Sequence, residues 1–230
     1  MIRFFEKYKR FAGVMIVVSV IIIVLFYNAL KPIPVLPIYQ PAMVASELVD
    51  EELQHVKKYH RIADFAFINQ NGQTVTQNDY EGFIYVADFF FTTCPTICPV
   101  MTDNMVFLQQ QLANVPNVKL LSHTVTPEID SVPVLKKYAL KKGVDDTRWN
   151  LVTGKKKEIY TLARSSYMVV KTSGDGGPFD MIHTENFVLV DPQGRIRGYY
   201  DGTSAEAMQQ LKADIQLLKE LEEEAQASRN

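Results

Sequence analysis

Apolar residues run almost without interruption from Phe11 to Leu30, and no charged side chain stands among them. A helix of that length spans roughly 30 Å, the thickness of a bilayer's hydrocarbon core. The pattern therefore predicts a transmembrane helix. The run is longer than the apolar core of a signal peptide, and Phe26-Tyr27-Asn28-Ala29 offers no small-x-small cleavage pattern. The reading is an uncleaved anchor, with a cleaved signal peptide as the alternative. Arg3, Lys7, Lys9 and Arg10 precede the run against Glu6 alone, while only Lys31 follows closely. The positive-inside rule then places residues 1–10 in the cytoplasm, residues 11–30 in a bacterial inner membrane as a single pass, and the rest on the periplasmic or extracytoplasmic side.

Beyond the anchor the pattern changes character. Pro32, Pro34, Pro37 and Pro41 make a stiff spacer that cannot continue a helix. Ala45 to His60 reads as a short polar helix, so residues 31–60 form a linker. The domain proper is expected over 61–225. Ile62, Phe65 and Phe67 lead to Asn71-Gly72, a hairpin turn, with a return strand at Thr74 to Thr76. Gly82 to Phe91 is a near-continuous apolar run, as in a strand buried on both faces. Starting at Pro99, Met101, Met105, Leu108 and Leu112 recur at helical spacing.

Val118 to Val125 predicts a further strand, Pro133 to Lys142 a helix closed by Gly143, and Lys155 to Ser165 another helix. Phe187 to Val190, the turn Asp191 to Gly194, and Arg195 to Tyr200 read as a hairpin. Thr203 with Glu206 fits a capping box, ahead of a last helix whose buried stripe is Met208, Leu211, Ile215 and Leu218. That helix is expected to fray from Glu222, leaving 226–230 as a tail. The order predicts an α/β, thioredoxin-like fold with an N-terminal β-hairpin extension, preceded by one transmembrane helix.

Composition narrows the partners. A net charge of −2 over 230 residues gives no basic surface for phosphates, so nucleic acid is not expected. Only two cysteines occur, Cys94 and Cys98, so no disulfide framework holds the fold and their closeness is the first functional clue. They fall in Phe91-Thr92-Thr93-Cys94-Pro95-Thr96-Ile97-Cys98-Pro99, directly after the apolar strand and ahead of a helix. A helix N-terminus favours thiolates, and two thiolates at this spacing can pinch one soft ion, copper(I) above all. The same pair also suits a thiol-disulfide oxidoreductase in which Cys94 attacks and Cys98 resolves, although that motif usually has two intervening residues rather than three. A peroxidase lacks support: Phe91 stands where that chemistry places a Thr.

The remaining candidates have plainer readings. His55 and His60 read as solvated residues, His123 as a packed or hydrogen-bonded strand residue, and Met101 and Met105 as core. Asp88 is anomalous in an apolar strand and calls for a buried partner or a raised pKa, with a strand-end position as the simple alternative.

The cysteine segment, Thr126-Pro127-Glu128-Ile129-Asp130 with Pro133, Trp149 to Gly154, and His183-Thr184 followed by Phe187 to Gly194 together resemble the Sco/SenC family, in order and over nearly the whole chain. The resemblance implies that Cys94, Cys98 and His183 ligate copper, as copper(I) or copper(II). It also implies delivery of copper to, or reduction of the thiols of, the dinuclear copper site in subunit II of cytochrome c oxidase. A periplasmic thioredoxin-like reductant is implied as well, because the thiols must be kept reduced outside the cytoplasm. Family members typically have Asp immediately before the histidine; here Ile182 stands there, with Asp180 two places earlier. Asp130 lies in the family's acidic loop and reads equally as a group that orients the site or contacts a partner and as an ordinary surface turn.

Overall fold

A computed structural model of the chain describes residues 2–30, 35–171, 173–174, 176–177 and 179–228. The chain divides into two units, Met1–Val35 and Leu36–Asn230. The first consists of one helix, α1 (Ile2–Leu30), whose apolar side chains from Phe11 to Tyr27 are largely exposed. Among the described residues no helix is long and apolar enough to cross a membrane. Pro32 and Pro34 of the expected spacer, and Arg229 and Asn230 of the expected tail, lie outside the described residues.

The second unit is built on a seven-stranded sheet in the order β2-β1-β5-β4-β3-β6-β7. Its strands are β1 (Ala66–Asn69), β2 (Thr74–Thr76), β3 (Ile84–Phe90), β4 (Val118–Thr124), β5 (Trp149–Thr153), β6 (Asn186–Val190) and β7 (Ile196–Asp201). β3, β4 and β5 run parallel, and the β1–β2 and β6–β7 hairpins add antiparallel strands on either side. In β3 every residue is buried, as its unbroken apolar run requires. The β1–β2 turn closes with Gly72 at a φ of +76°, a conformation that glycine adopts without a Cβ penalty.

Side-chain alternation sends β3 into two cores. Tyr85, Ala87 and Phe89 face a core closed by Ile159, Tyr160 and Ala163, while Ile84, Val86 and Phe90 face one closed by helices. Those helices are α2 (Ile97–Gln111), α3 (Val132–Lys142) and α5 (Ala205–Ala227), with α4 (Lys156–Thr161) on the opposite face. Met101 and Met105 are core residues with no exposure.

Five local expectations are corrected. Ala45 to His60 is not a helix: it holds a short 3-10 turn at Ser46–Leu48 after another at Pro41–Met43. Its neighbours are bound to the sheet, Tyr39 N–H donating to Ile196 O and Ile62 N–H to Gly194 O, each at 2.8 Å, and Val49 is buried. Anchoring of both flanks leaves no room for a regular amphipathic element. α2 begins at Ile97, two residues before Pro99, so Cys98 lies inside its first turn. Pro99 is tolerated there because first-turn N–H groups have no intrahelical acceptor.

The helix expected over Lys155 to Ser165 turns from α to π at Leu162–Ser166. α5 is capped by Ser204, whose hydroxyl accepts Ala207 N–H at 3.2 Å, while Thr203 donates instead to Asp201 at 2.6 Å. It continues to Ala227 rather than fraying from Glu222.

Candidate metal centre

β3 ends at Phe90 and releases a short loop that turns directly into α2. Cys94 N–H donates to Phe91 O at 3.3 Å, and this turn brings Cys94 Sγ to 3.5 Å from the N–H of Cys98. The Thr96 hydroxyl lies 3.8 Å from the same sulfur. Both thiols are free and buried, Cys94 at 7% exposure and Cys98 at 3%.

The arrangement splits the pair. Burial raises the Cys94 thiol, but the Cys98 thiol, the N–H groups of Thr96 and Cys98, and the Thr96 hydroxyl together bring it down to about 7. Burial, the neighbouring Cys94 and the charge of Asp88 push Cys98 up to about 12. Free N–H groups at the start of a helix are the physical reason that the first sulfur carries charge more readily than the second.

His183 is exposed and stands just before β6, its ring edge-on to Phe91 with centroids 5.9 Å apart. It thus borders the loop that carries Cys94. Among the described residues, however, no group of three His, Cys, Asp or Glu side chains is gathered closely enough to hold a metal ion. Two cysteine sulfurs are in place, and an imidazole stands beside their loop.

Asp180 is committed elsewhere: it takes Arg164 at 2.8 Å and the N–H of Gly176 at 2.7 Å, in a largely buried ion pair. Arg164 holds its carboxyl below the usual carboxylate range. Arg164 comes from the π-turn, a feature that no hydrophobic period signals.

The other candidates fall outside the dithiol. His123 is fully buried among Phe65, Phe67, Phe89 and Tyr167, with Nδ1 at 3.4 Å from Asp88 O, and burial pushes it down to about 3. His55 is exposed, whereas His60 is half-buried and its Nε2 lies 2.8 Å from Ser166 O, so it is a structural contact rather than a solvated residue. Asp130 is not a surface turn: it is wholly buried and accepts hydrogen bonds from three threonines.

Asp88 is buried on the helix-covered face; one carboxylate oxygen has no partner, and Ser122, which also receives Trp149 Nε1 at 2.9 Å, is its hydrogen-bonding neighbour. Burial raises it to about 7. A carboxyl whose folded pKa exceeds its unfolded value stabilises the fold below the unfolded value, and that contribution is lost as pH rises to the folded value. Asp88→Asn should therefore gain stability relative to the parent chain between pH 4 and 7, by up to about 4 kcal/mol. Chemical denaturation at pH 4.5 and 7.5 checks this; a gap that shrinks with pH refutes it.

Taken together, sheet order, parallel centre and a dithiol at the strand-to-helix turn define a thioredoxin-like α/β domain with a candidate soft-metal or redox site. The family model SCO1/SenC matches residues 54–219, and the chain belongs to this family. The SCO1 protein homolog of Bacillus subtilis is 33% identical over 158 residues, covering 68% of this chain and 81% of that protein. The mitochondrial SCO2 homolog of Danio rerio is 28% identical, and the match spans 56% of its length.

Among solved structures, a SCO1/SenC family lipoprotein from Bacillus anthracis superposes with a TM-score of 0.62 at 31% identity, over 70% of this chain and 95% of that one. BsSco, described as carrying a disulfide switch and as a member of the Sco family of cytochrome c oxidase assembly proteins, superposes at 0.60 with 33% identity, over 68% and 92%. The same fold occurs in Bradyrhizobium japonicum ScoI, solved with copper bound, at a TM-score of 0.54, 24% identity, and 70% and 99% coverage.

Proposed function

We propose that this protein is a membrane-anchored copper carrier for cytochrome c oxidase assembly. In this reading Cys94 and Cys98 hold the ion, and His183 closes the site. Copper then passes to the dinuclear copper site of subunit II, or the dithiol maintains that site's thiols. The observation that carries the reading is the reduced thiol pair at the start of α2, with Cys94 Sγ 3.5 Å from Cys98 N–H. Membership of a family that includes BsSco and copper-bound members supports the cargo and the destination. Copper is the ion for which a pair of thiolates selects most strongly, and ligand exchange between thiolates needs no turnover.

The test is titration of the reduced full chain, in detergent, against a copper(I) chelator, followed by mixing with the soluble domain of subunit II. One copper per chain and its transfer are expected. Failure of the reduced chain to compete for any copper overturns the reading. The disulfide form has no thiolate to offer and is expected to take up copper only after reduction.

Anchoring by α1 rests on its uncharged, exposed apolar stretch and the basic residues before it. The domain then lies outside the inner membrane, facing a thioredoxin-like reductant. A thiol reagent that cannot cross that membrane is expected to label Cys94 in intact spheroplasts; labelling only after lysis would reverse the orientation.

A second reading, thiol-disulfide oxidoreductase, is favoured by the same split of the two thiols: a low-pKa Cys94 attacks and a more buried Cys98 resolves. Reduction of insulin disulfides by the purified chain, at rates above those of free dithiol, would distinguish it from carriage alone.

A further inference from the structure

Thr92 is placed two residues before Cys94, and its hydrogen bonds cross to a distant part of the chain. Its N–H donates to Asp130 Oδ2 at 3.2 Å, and its hydroxyl donates to Asp130 Oδ1 at 2.5 Å, 38 positions away in sequence. From the end of β4 and the residues after it, Thr124 and Thr126 donate their hydroxyls to Oδ2 at 2.5 and 3.1 Å. Asp130 has no exposure. A buried carboxylate is costly unless its oxygens are saturated, and here the hydroxyls of three threonines and one N–H saturate it.

Packing alone does not call for this arrangement, because apolar residues fill such a space at least as favourably. A carboxylate with several convergent donors instead fixes direction. Among the described residues, Thr92 is the last before Cys94 whose hydrogen bonds leave the loop; those of Cys94 go to Phe91, Thr96 and Cys98. The residue on its other side, Phe91, carries the ring against which His183 rests. One clamp therefore sits between the two halves of the candidate centre.

We propose that Asp130 is a positioning residue for the Cys94–Cys98 site. Through Thr92 it fixes the turn from which Cys94 projects, and thereby sets both the affinity of the dithiol for copper and its redox equilibrium. This rests on the reading of Cys94 and Cys98 given above. Asp130 touches neither sulfur; it acts by holding Cys94 Sγ in reach of the helix N-terminus, where the thiolate is received.

The experiment compares full-length Asp130→Asn, Thr92→Val, Thr92→Ser and Thr126→Val chains in copper(I) competition, in redox equilibration against glutathione, and in thermal unfolding. Partners outside the ligand set typically cost 10- to 100-fold in metal affinity when removed. Asp130→Asn and Thr92→Val are expected to lose about tenfold in copper(I) affinity and to shift the dithiol equilibrium by a similar factor. Thr92→Ser, which keeps the donor, is expected to match the parent chain. Thr126→Val removes a donor to the same carboxylate that comes from the segment after β4 and not from the cysteine loop. It should lower the unfolding temperature while leaving copper and redox behaviour within about twofold.

Thr92→Val at parent affinity and parent equilibrium overturns the inference, as does an equal loss in Thr126→Val, which would make Asp130 a structural group only. Should Asp130→Asn fail to fold, the two Thr92 variants decide. Cys98→Ser, run alongside, separates the two claims: if it keeps its copper, the carriage reading falls, and the redox shift of Thr92→Val alone then upholds or overturns the clamp.

Discussion

At pH 7 a small alkylating reagent is expected to modify Cys94 a few hundred times faster than Cys98 in the reduced, metal-free chain. The thiolate is the reacting species. With Cys94 lowered to about 7 and Cys98 raised to about 12, roughly half of the first and about one part in 10⁵ of the second is thiolate at that pH. The higher intrinsic nucleophilicity of the more basic sulfur recovers about two to two and a half of those decades, leaving a preference of a few hundred. Cys98 is the more buried of the two, so access does not reverse the order.

The pH profile carries the mechanism. The Cys94 rate should rise through pH 7 and level by pH 9, while that of Cys98 should climb about tenfold per unit throughout. Peptide mapping by mass spectrometry at early times, with Cys94→Ser as a control for Cys98 alone, gives both rates. Similar rates at pH 7 would show that the N–H groups of Thr96 and Cys98 do not stabilise the Cys94 thiolate.

What could be read from the residues, and what could not, divides along a physical line. Elements whose side chains obey one period were legible: β3 from its apolar run, the β6–β7 hairpin from its turn, and α5 from the stripe Met208, Leu211, Ile215 and Leu218. The dithiol was legible because two cysteines between a buried strand and a helix have few other uses. Asp88 was legible as an anomaly, since a carboxylate in a strand buried on both faces must titrate abnormally or find partners.

Features fixed by pairing between distant segments left no local trace. Thr124 and Thr126 lie within six residues of Asp130, but Thr92 is 38 positions away, and only the parallel register of β3 and β4, with Phe90 opposite Thr124, brings it to the same carboxylate. Residues 45–60 carry a helix-like polar mixture, yet anchoring of their flanks to β7 and the turn before it decides their path. Pro99 resembles a first helical residue and so signals a start of α2 that is too late, whereas Ile97 and Cys98 already belong to the helix. His183 was indicated by family resemblance alone; its edge-on contact with Phe91 links it to the cysteine loop without making it a neighbour of either sulfur.

Replacing Cys98 by Ser is expected to remove stoichiometric copper binding in both oxidation states, while His183→Ala separates them. Copper(I) is satisfied by two soft thiolates at low coordination number, and the structure already holds those two sulfurs at the start of α2. Copper(II) prefers more ligands and accepts imidazole well, so it depends on the group that lies outside the preformed pair. His183 is exposed and in contact with Phe91, so its recruitment requires movement of its own segment, and only the ion that needs a third donor draws on it. Loss of Cys98 leaves one thiolate, which cannot pinch the ion; affinity should fall by more than the hundredfold at the upper end of what outer partners cost. His183→Ala should lower copper(II) affinity at least about tenfold and copper(I) affinity by no more than about threefold. The measurement is chelator competition for copper(I), paired with the visible absorption of the copper(II) forms, where the thiolate charge-transfer bands should shift in His183→Ala and vanish in Cys98→Ser. Equal losses in both oxidation states for His183→Ala would contradict this division of labour, and no loss in either would remove His183 from the site.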